Sequence, residues 1–86
     1  MYQLLFTEKA TKSLKKIPKA DAKRILVKLD QLAENPDEAA NVKKLTNFPI
    51  AGFRLRVGQY RVLFDKEDTL KIIEVIDVGN RKDIYL

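Results

Sequence analysis

The chain has 86 residues, 17 Lys and Arg against 12 Asp and Glu, a net charge of +5, and neither cysteine nor histidine. That length makes one domain, residues 1–86, with a limited core. The missing residue types exclude disulfides, thiolate chemistry, cysteine zinc sites and the commonest general base and metal ligand. No apolar run reaches the roughly 18 residues of a membrane span, and Met1-Tyr2-Gln3-Leu4-Leu5-Phe6 lacks the basic start and cleavage site of a signal peptide. A cytoplasmic protein without membrane contact, metal or cofactor is expected.

Tyr2 to Phe6 reads as a short strand. Thr7 is placed to cap a helix, with Glu8 at its positive end, and Ala10, Leu14 and Ile17 fall on one helical face until Pro18. A second helix is predicted from about Lys19 to Glu34. Its stripe is Ala22, Ile25, Leu26, Leu29, Leu32 and Ala33, and Asn35-Pro36 stops it. The outer faces of this helical hairpin are lysine-rich, as solvated helix surfaces are. Residues 36–52 read as a connector with two prolines, from which Val42 and Leu45 reach the core.

A β-hairpin follows. In Phe53-Arg54-Leu55-Arg56-Val57-Gly58-Gln59-Tyr60-Arg61-Val62-Leu63-Phe64 the two-residue loop Gly58-Gln59 fits a type II′ turn, with glycine at its first central position. Val57 then opposes Tyr60, Arg56 opposes Arg61, Leu55 opposes Val62, Arg54 opposes Leu63 and Phe53 opposes Phe64. Strand alternation gathers Phe53, Leu55, Val57, Tyr60, Val62 and Phe64 on a core face and Arg54, Arg56, Arg61 and Leu63 on the other. A turn is expected at Lys66-Glu67-Asp68-Thr69 and a strand from Leu70 to Val78, apolar at both parities and hence central or covered on both faces. Gly79 is expected to break that strand, and Arg81 to Tyr85 to form a short tail strand. The order β-α-α-β-β-β-β describes an α+β domain, a helical hairpin on one face of a mainly antiparallel sheet.

Charge is unevenly spread along this order. Residues 1–40 hold eight basic and six acidic groups, residues 41–64 five basic groups and no acid, and residues 65–86 four basic and six acidic groups. The positive block suits an anionic partner, a nucleic acid or an acidic protein. Arginines at alternate outward positions can be solvated decoration. Two placed directly opposite each other are unfavourable, however, and arginine's fork matches phosphate. Arg81 and Lys82 add charge, and Tyr85, which can equally plug the core, can stack on an unstacked base. Asp65, Glu67 and Asp68 cluster in a turn with too few ligands for a metal loop.

Phe53 to Val62, followed by Asp77-Val78-Gly79-Asn80-Arg81-Lys82-Asp83-Ile84-Tyr85, resembles the RelE/ParE superfamily of type II toxin–antitoxin toxins. Length and element order resemble it too, so the likeness covers essentially the whole chain. The RelE branch cuts mRNA in the ribosomal A site, the ParE branch poisons DNA gyrase, and both are held inactive by a cognate antitoxin, in hetero-oligomers. The resemblance, RelE-like by preference, implies a ribosome-dependent mRNA endonuclease with Arg54, Arg56, Arg61, Arg81 and Tyr85 as catalytic residues. Arg61 would stabilise the scissile phosphate, Arg81 the transition state or leaving group, and Tyr85 would stack on the substrate base. Lys43, Lys44 and Lys82 would touch RNA.

Metal-free RNA cleavage uses the 2′-OH as nucleophile and needs a base, positive charge and an acid. Arginine stays protonated and serves only as the charge. Some ribonuclease members carry lysine where this chain has Arg54 and Arg56, and many carry histidine or lysine where it has Asn80. The base is therefore to be sought among Lys43, Lys44, Lys82 and Tyr85. With the ribosome supplying much of the positioning, activity on free RNA would be low. A ParE-like gyrase inhibitor and a degenerate, non-catalytic basic homologue are the alternatives.

Overall fold

Thr7 sets the first boundary of the fold in the computed structural model, which describes residues 1–80. Its Oγ1 accepts a hydrogen bond from Ala10 N at 3.0 Å and donates one to Ile76 O at 2.6 Å. The cap therefore closes the end of strand β1 (Gln3–Phe6), starts helix α1 (Glu8–Lys16) and ties both to the sheet. Pro18 separates α1 from helix α2 (Lys19–Glu34). On α2, Ile25, Leu29, Leu32 and Ala33 are buried at helical spacing. The stripe is narrower than the sequence indicates: Leu26 is 41% exposed.

The connector holds a strand that the sequence reading does not contain, β2 (Val42–Lys44). The hairpin strands β3 (Phe53–Val57) and β4 (Tyr60–Glu67) and then β5 (Ile72–Asn80) complete one sheet in the order β1-β5-β4-β3-β2. β1 runs parallel to β5, and every other pairing is antiparallel. The described order is thus β-α-α-β-β-β-β, an α+β fold, with β2 supplying the fourth C-terminal strand. The expected tail strand, Arg81 to Tyr85, lies outside the described residues.

Ala10, Leu14 and Ile17 of the first helical segment and the α2 stripe pack on Leu55, Val57, Tyr60, Val62, Phe64, Ile73, Val75 and Val78. Both helices therefore cover one face of the sheet, where burial of apolar surface supplies most of the driving force. Val42 packs against this core and Leu45 is half-buried.

The third long strand differs from expectation in three ways. It starts at Ile72, because the chain turns through Lys71 at a φ of 55° and leaves Leu70 69% exposed. It runs through Gly79, which pairs with Arg61 rather than breaking the strand. Its apolar residues occupy both parities because of a bulge: Phe64 pairs with Val75 but Leu63 with Asp77, leaving Ile76 as an extra residue. Ile73 and Val75 before the bulge and Val78 after it accordingly join the same core.

Candidate phosphate-binding surface

Gly58 makes the hairpin possible. Its φ of 59° suits the first central position of a type II′ turn. The register is as the alternation indicates: Val57 with Tyr60, Arg56 with Arg61, Leu55 with Val62, Arg54 with Leu63 and Phe53 with Phe64. The core face is sealed by Leu55, Val57, Tyr60, Val62 and Phe64, and the Phe53 and Phe64 rings stack with centroids 5.3 Å apart and planes 15° from parallel. Tyr60 Oη donates to Asp21 Oδ2 of α2 at 2.8 Å. That bond, with burial and the nearby carboxylate charge behind it, raises the phenol pKa above its ordinary value. The tip of the hairpin is thereby pinned to the helices.

Arg54, Arg56 and Arg61 stand on the face away from the helices. Arg56 N donates to Asn41 O on the β2 side at 3.0 Å. Its backbone groups thus point away from β4, and Arg56 and Arg61 form a non-hydrogen-bonded pair, the closer kind, with Cα atoms about 4.5 Å apart. Arg61 is only 6% exposed and Leu63 beside it 1%. The outer face is therefore not uniformly solvated: Arg56 is exposed, Arg54 half-buried and Arg61 buried. Partial removal from water strengthens the pull of these guanidinium groups on an anion.

β2 extends the cluster and separates two lysines that the sequence treats alike. Lys43 opposes Arg54 and shares the arginine face, whereas Lys44 opposes Phe53 and has the core-face parity at the sheet edge. On the far side of Arg61, Gly79 contributes no side chain, and Asn80, the last described residue, stands opposite Tyr60. Arg81, Lys82 and Tyr85 lie outside the described residues.

Among the described residues, three carboxylates of the region have partners of their own. Asp65 Oδ1 accepts from Gly52 N at 2.6 Å, and Glu67 Oε2 from Thr69 N and Leu70 N at 2.6 and 3.0 Å, so both brace loops. Asp77, re-aimed by the bulge, is buried, accepts from Ser13 Oγ at 2.9 Å and Val78 N at 2.8 Å, and lies 3.4 Å from Lys9 Nζ. It joins the end of β5 to α1. Neither this anchor nor the Tyr60–Asp21 tie is legible beforehand, since each joins residues far apart in sequence. A cleft of about 530 Å³ beside them is lined by Lys9, Ser13, Lys16, Tyr60, Asp77 and Gly79 among others. It opens on the helix side of the sheet. The arginine cluster lies on the opposite face of the sheet, running from buried Arg61 to exposed Arg56. No helix among the described residues is long and apolar enough to cross a membrane.

The family model for the ParE toxin of the type II toxin–antitoxin system parDE matches residues 4–85. Among solved structures, the toxin–antitoxin complex RelBE2 of Mycobacterium tuberculosis is 25% identical, with a TM-score of 0.80 over 93% of this chain and 98% of that one. The archaeal RelE–RelB complex of Pyrococcus horikoshii is 27% identical, with a TM-score of 0.79 over 95% and 97%. The intact RelBE toxin–antitoxin complex of E. coli is 28% identical, with a TM-score of 0.75 over 93% and 96%. A search of curated proteins found no match.

Proposed function

The chain belongs to the ParE toxin family of type II toxin–antitoxin systems, within the RelE/ParE superfamily, and from that membership we propose that it is a ribosome-dependent mRNA endonuclease that inhibits translation. The observation that carries the proposal is the direct opposition of Arg56 and Arg61 on the sheet face that the helices leave open. Arg56 and Arg61 lie side by side on that face, and guanidinium forks match the oxygens of a phosphodiester in geometry and charge. Arg54 continues the charge towards β2.

As the 2′-oxygen attacks, negative charge grows on the phosphorane oxygens, and fixed guanidinium groups stabilise that state more than the ground state. Arg61 is the central member, with Arg54 and Arg56 flanking it. Arg81 serves the transition state or leaving group, Tyr85 stacks on the base, and Lys43, Lys44 and Lys82 contact RNA. The ribosome holds the mRNA in place, so free RNA is a poor substrate. A cognate antitoxin restrains the toxin, as the RelB partners in the matched complexes suggest.

Primer extension on translated mRNA tests the proposal. A-site cuts should appear on induction and fall by about 10²–10³-fold for each phosphate-stabilising donor removed, so that an Arg61→Ala, Arg81→Ala double variant shows none. Unchanged cuts in that variant would overturn it. The match to the ParE model favours gyrase inhibition as a second reading. DNA damage on induction, with mRNA intact, is its signature.

A further inference from the structure

The arginines can hold a phosphate but cannot take a proton from a 2′-hydroxyl, because guanidinium does not deprotonate in proteins. We propose that Lys43 is the general base of the outer-face site and that Lys44 has no part in the chemistry. The inference rests on the ribonuclease reading and deepens it.

Register singles out Lys43. Leu45 N donates to Gly52 O at 2.8 Å and Arg56 N to Asn41 O at 3.0 Å. Hydrogen-bonded pairs alternate along an antiparallel ladder, so Lys43 and Arg54, midway between those two pairs, form one as well, with Cα atoms about 5.5 Å apart. Arg56 and Arg61 lie two residues further along the same face, about 7 Å at the rise of a strand. A phosphate gripped between them presents the ribose on its Arg54 side within reach of the exposed, flexible Lys43 stem. Lys44, one residue on, projects from the other face of the strand.

The outer-face carboxylates fit the task less well. Asp65 is four residues from Arg61 along β4, about 13 Å, on a short side chain already bonded to Gly52 N. Glu74 is opposite Asp65, one strand further from β2, and Glu67 is engaged by Thr69 N and Leu70 N. A carboxylate would also repel the phosphate that it must approach. Among the described residues, Lys43 is the titratable side chain other than arginine that stands directly opposite a member of the arginine cluster.

In the step, Lys43 Nζ in its neutral form takes the 2′-OH proton as the bond from the 2′-oxygen to phosphorus forms. The bond from phosphorus to the 5′-oxygen breaks, and that oxygen takes a proton from water. The ammonium returns its proton to the hydroxide so formed. The products are a 2′,3′-cyclic phosphate and a 5′-hydroxyl end, with atoms and charge balanced.

The test is single-turnover cleavage of mRNA in the A site of purified ribosomes, as a function of pH. Lys43→Arg keeps the charge and the strand but removes the base. It is expected to lose roughly 100-fold or more in rate, together with the limb that rises with pH; Lys44→Arg keeps that limb whatever it changes in RNA binding, and Lys12→Arg, on the exposed side of α1, keeps the wild-type rate and profile. Because the chain has no cysteine, Lys43→Cys can be alkylated at that one position with 2-bromoethylamine. The thioether lysine so formed is less basic, so activity should return with its pH profile displaced to lower pH. A Lys43→Arg variant with wild-type rate and profile would overturn the assignment of Lys43 alone. A wild-type protein that leaves ribosome-bound mRNA uncut would overturn the ribonuclease reading beneath it.

Discussion

Replacing Arg56 with glutamine should stabilise the folded chain while weakening its hold on phosphate. Arg56 and Arg61 face each other in a non-hydrogen-bonded pair. With charge centres about 6 Å apart and an effective dielectric constant between roughly 20, as near a protein surface, and 80, the bare repulsion is about 0.7–2.8 kcal/mol, of which cross-strand pairs typically retain ~0.2–1 kcal/mol. For a domain of this size each kcal/mol moves the melting temperature by about 4–8 °C, so Arg56→Gln should melt several degrees higher in low salt. At 0.1 M salt the Debye length is about 10 Å and should leave roughly half of the difference, and at 1 M, where it is about 3 Å, very little. Inorganic phosphate should raise the wild-type melting temperature more than that of the variant, because only the wild type offers it two facing guanidinium groups. Thermal melts in a sodium chloride series, with and without phosphate, measure all of this. An Arg56→Gln protein that melts no higher in low salt, or whose advantage survives 1 M salt, would refute the electrostatic account of the surface.

Three further outcomes are expected. Gly58→Ala forces a side chain into a φ of 59° and brings its Cβ to 3.3 Å from Arg24 Nη2; a loss of about 1–2 kcal/mol should appear in urea denaturation, with the same m-value. Phe64→Ala removes a ring that is 1% exposed and stacked on Phe53, at about 3–5 kcal/mol. That is a large share of the roughly 4–13 kcal/mol available to such a domain, so circular dichroism at 37 °C should show much of the variant unfolded. The raised pKa of Tyr60, set first by its bond to Asp21, predicts a pH dependence. The stabilisation is complete below the unfolded phenol's pKa near 10 and is lost as pH rises through the higher folded value. Tyr60→Phe should flatten the fall in stability above pH 10, which chemical denaturation at a series of alkaline pH values would register.

Much of the architecture could be read along the chain because its signals are local. Thr7, Pro18 and Asn35-Pro36 delimit the helices through capping and the missing proline N–H. Gly58-Gln59 fixes a two-residue turn, and from it the whole register of the hairpin follows, with Arg56 opposite Arg61 and the apolar face turned to the helices. Where two local signals conflict, the structure departs from the local pattern. Gly79 looks like a breaker but lies within β5, where pairing with Arg61 compensates for its flexibility. Leu26 fits the helical period but sits at the margin of the buried stripe, because the sheet beneath α2 covers only a narrow arc.

The sequence by itself determined the two helices, the hairpin register and the existence of a cationic face, since caps, turns and two-residue alternation depend on neighbours in the chain. Tertiary structure alone decided which residues that face contains and how they are solvated. β2 is too short to announce itself and exists through pairing with β3, and that pairing sends Lys43 to the arginines and Lys44 to the other side. The bulge in β5 swaps its parity at Ile76 and turns Asp77 towards Ser13 and Lys9, a change visible only when the strand is laid against β4. Arg61 is likewise buried beside Leu63, on the face turned away from the helices. Such long-range contacts fix a side chain's exposure, and with it the strength of a charge, in a way that no local pattern encodes.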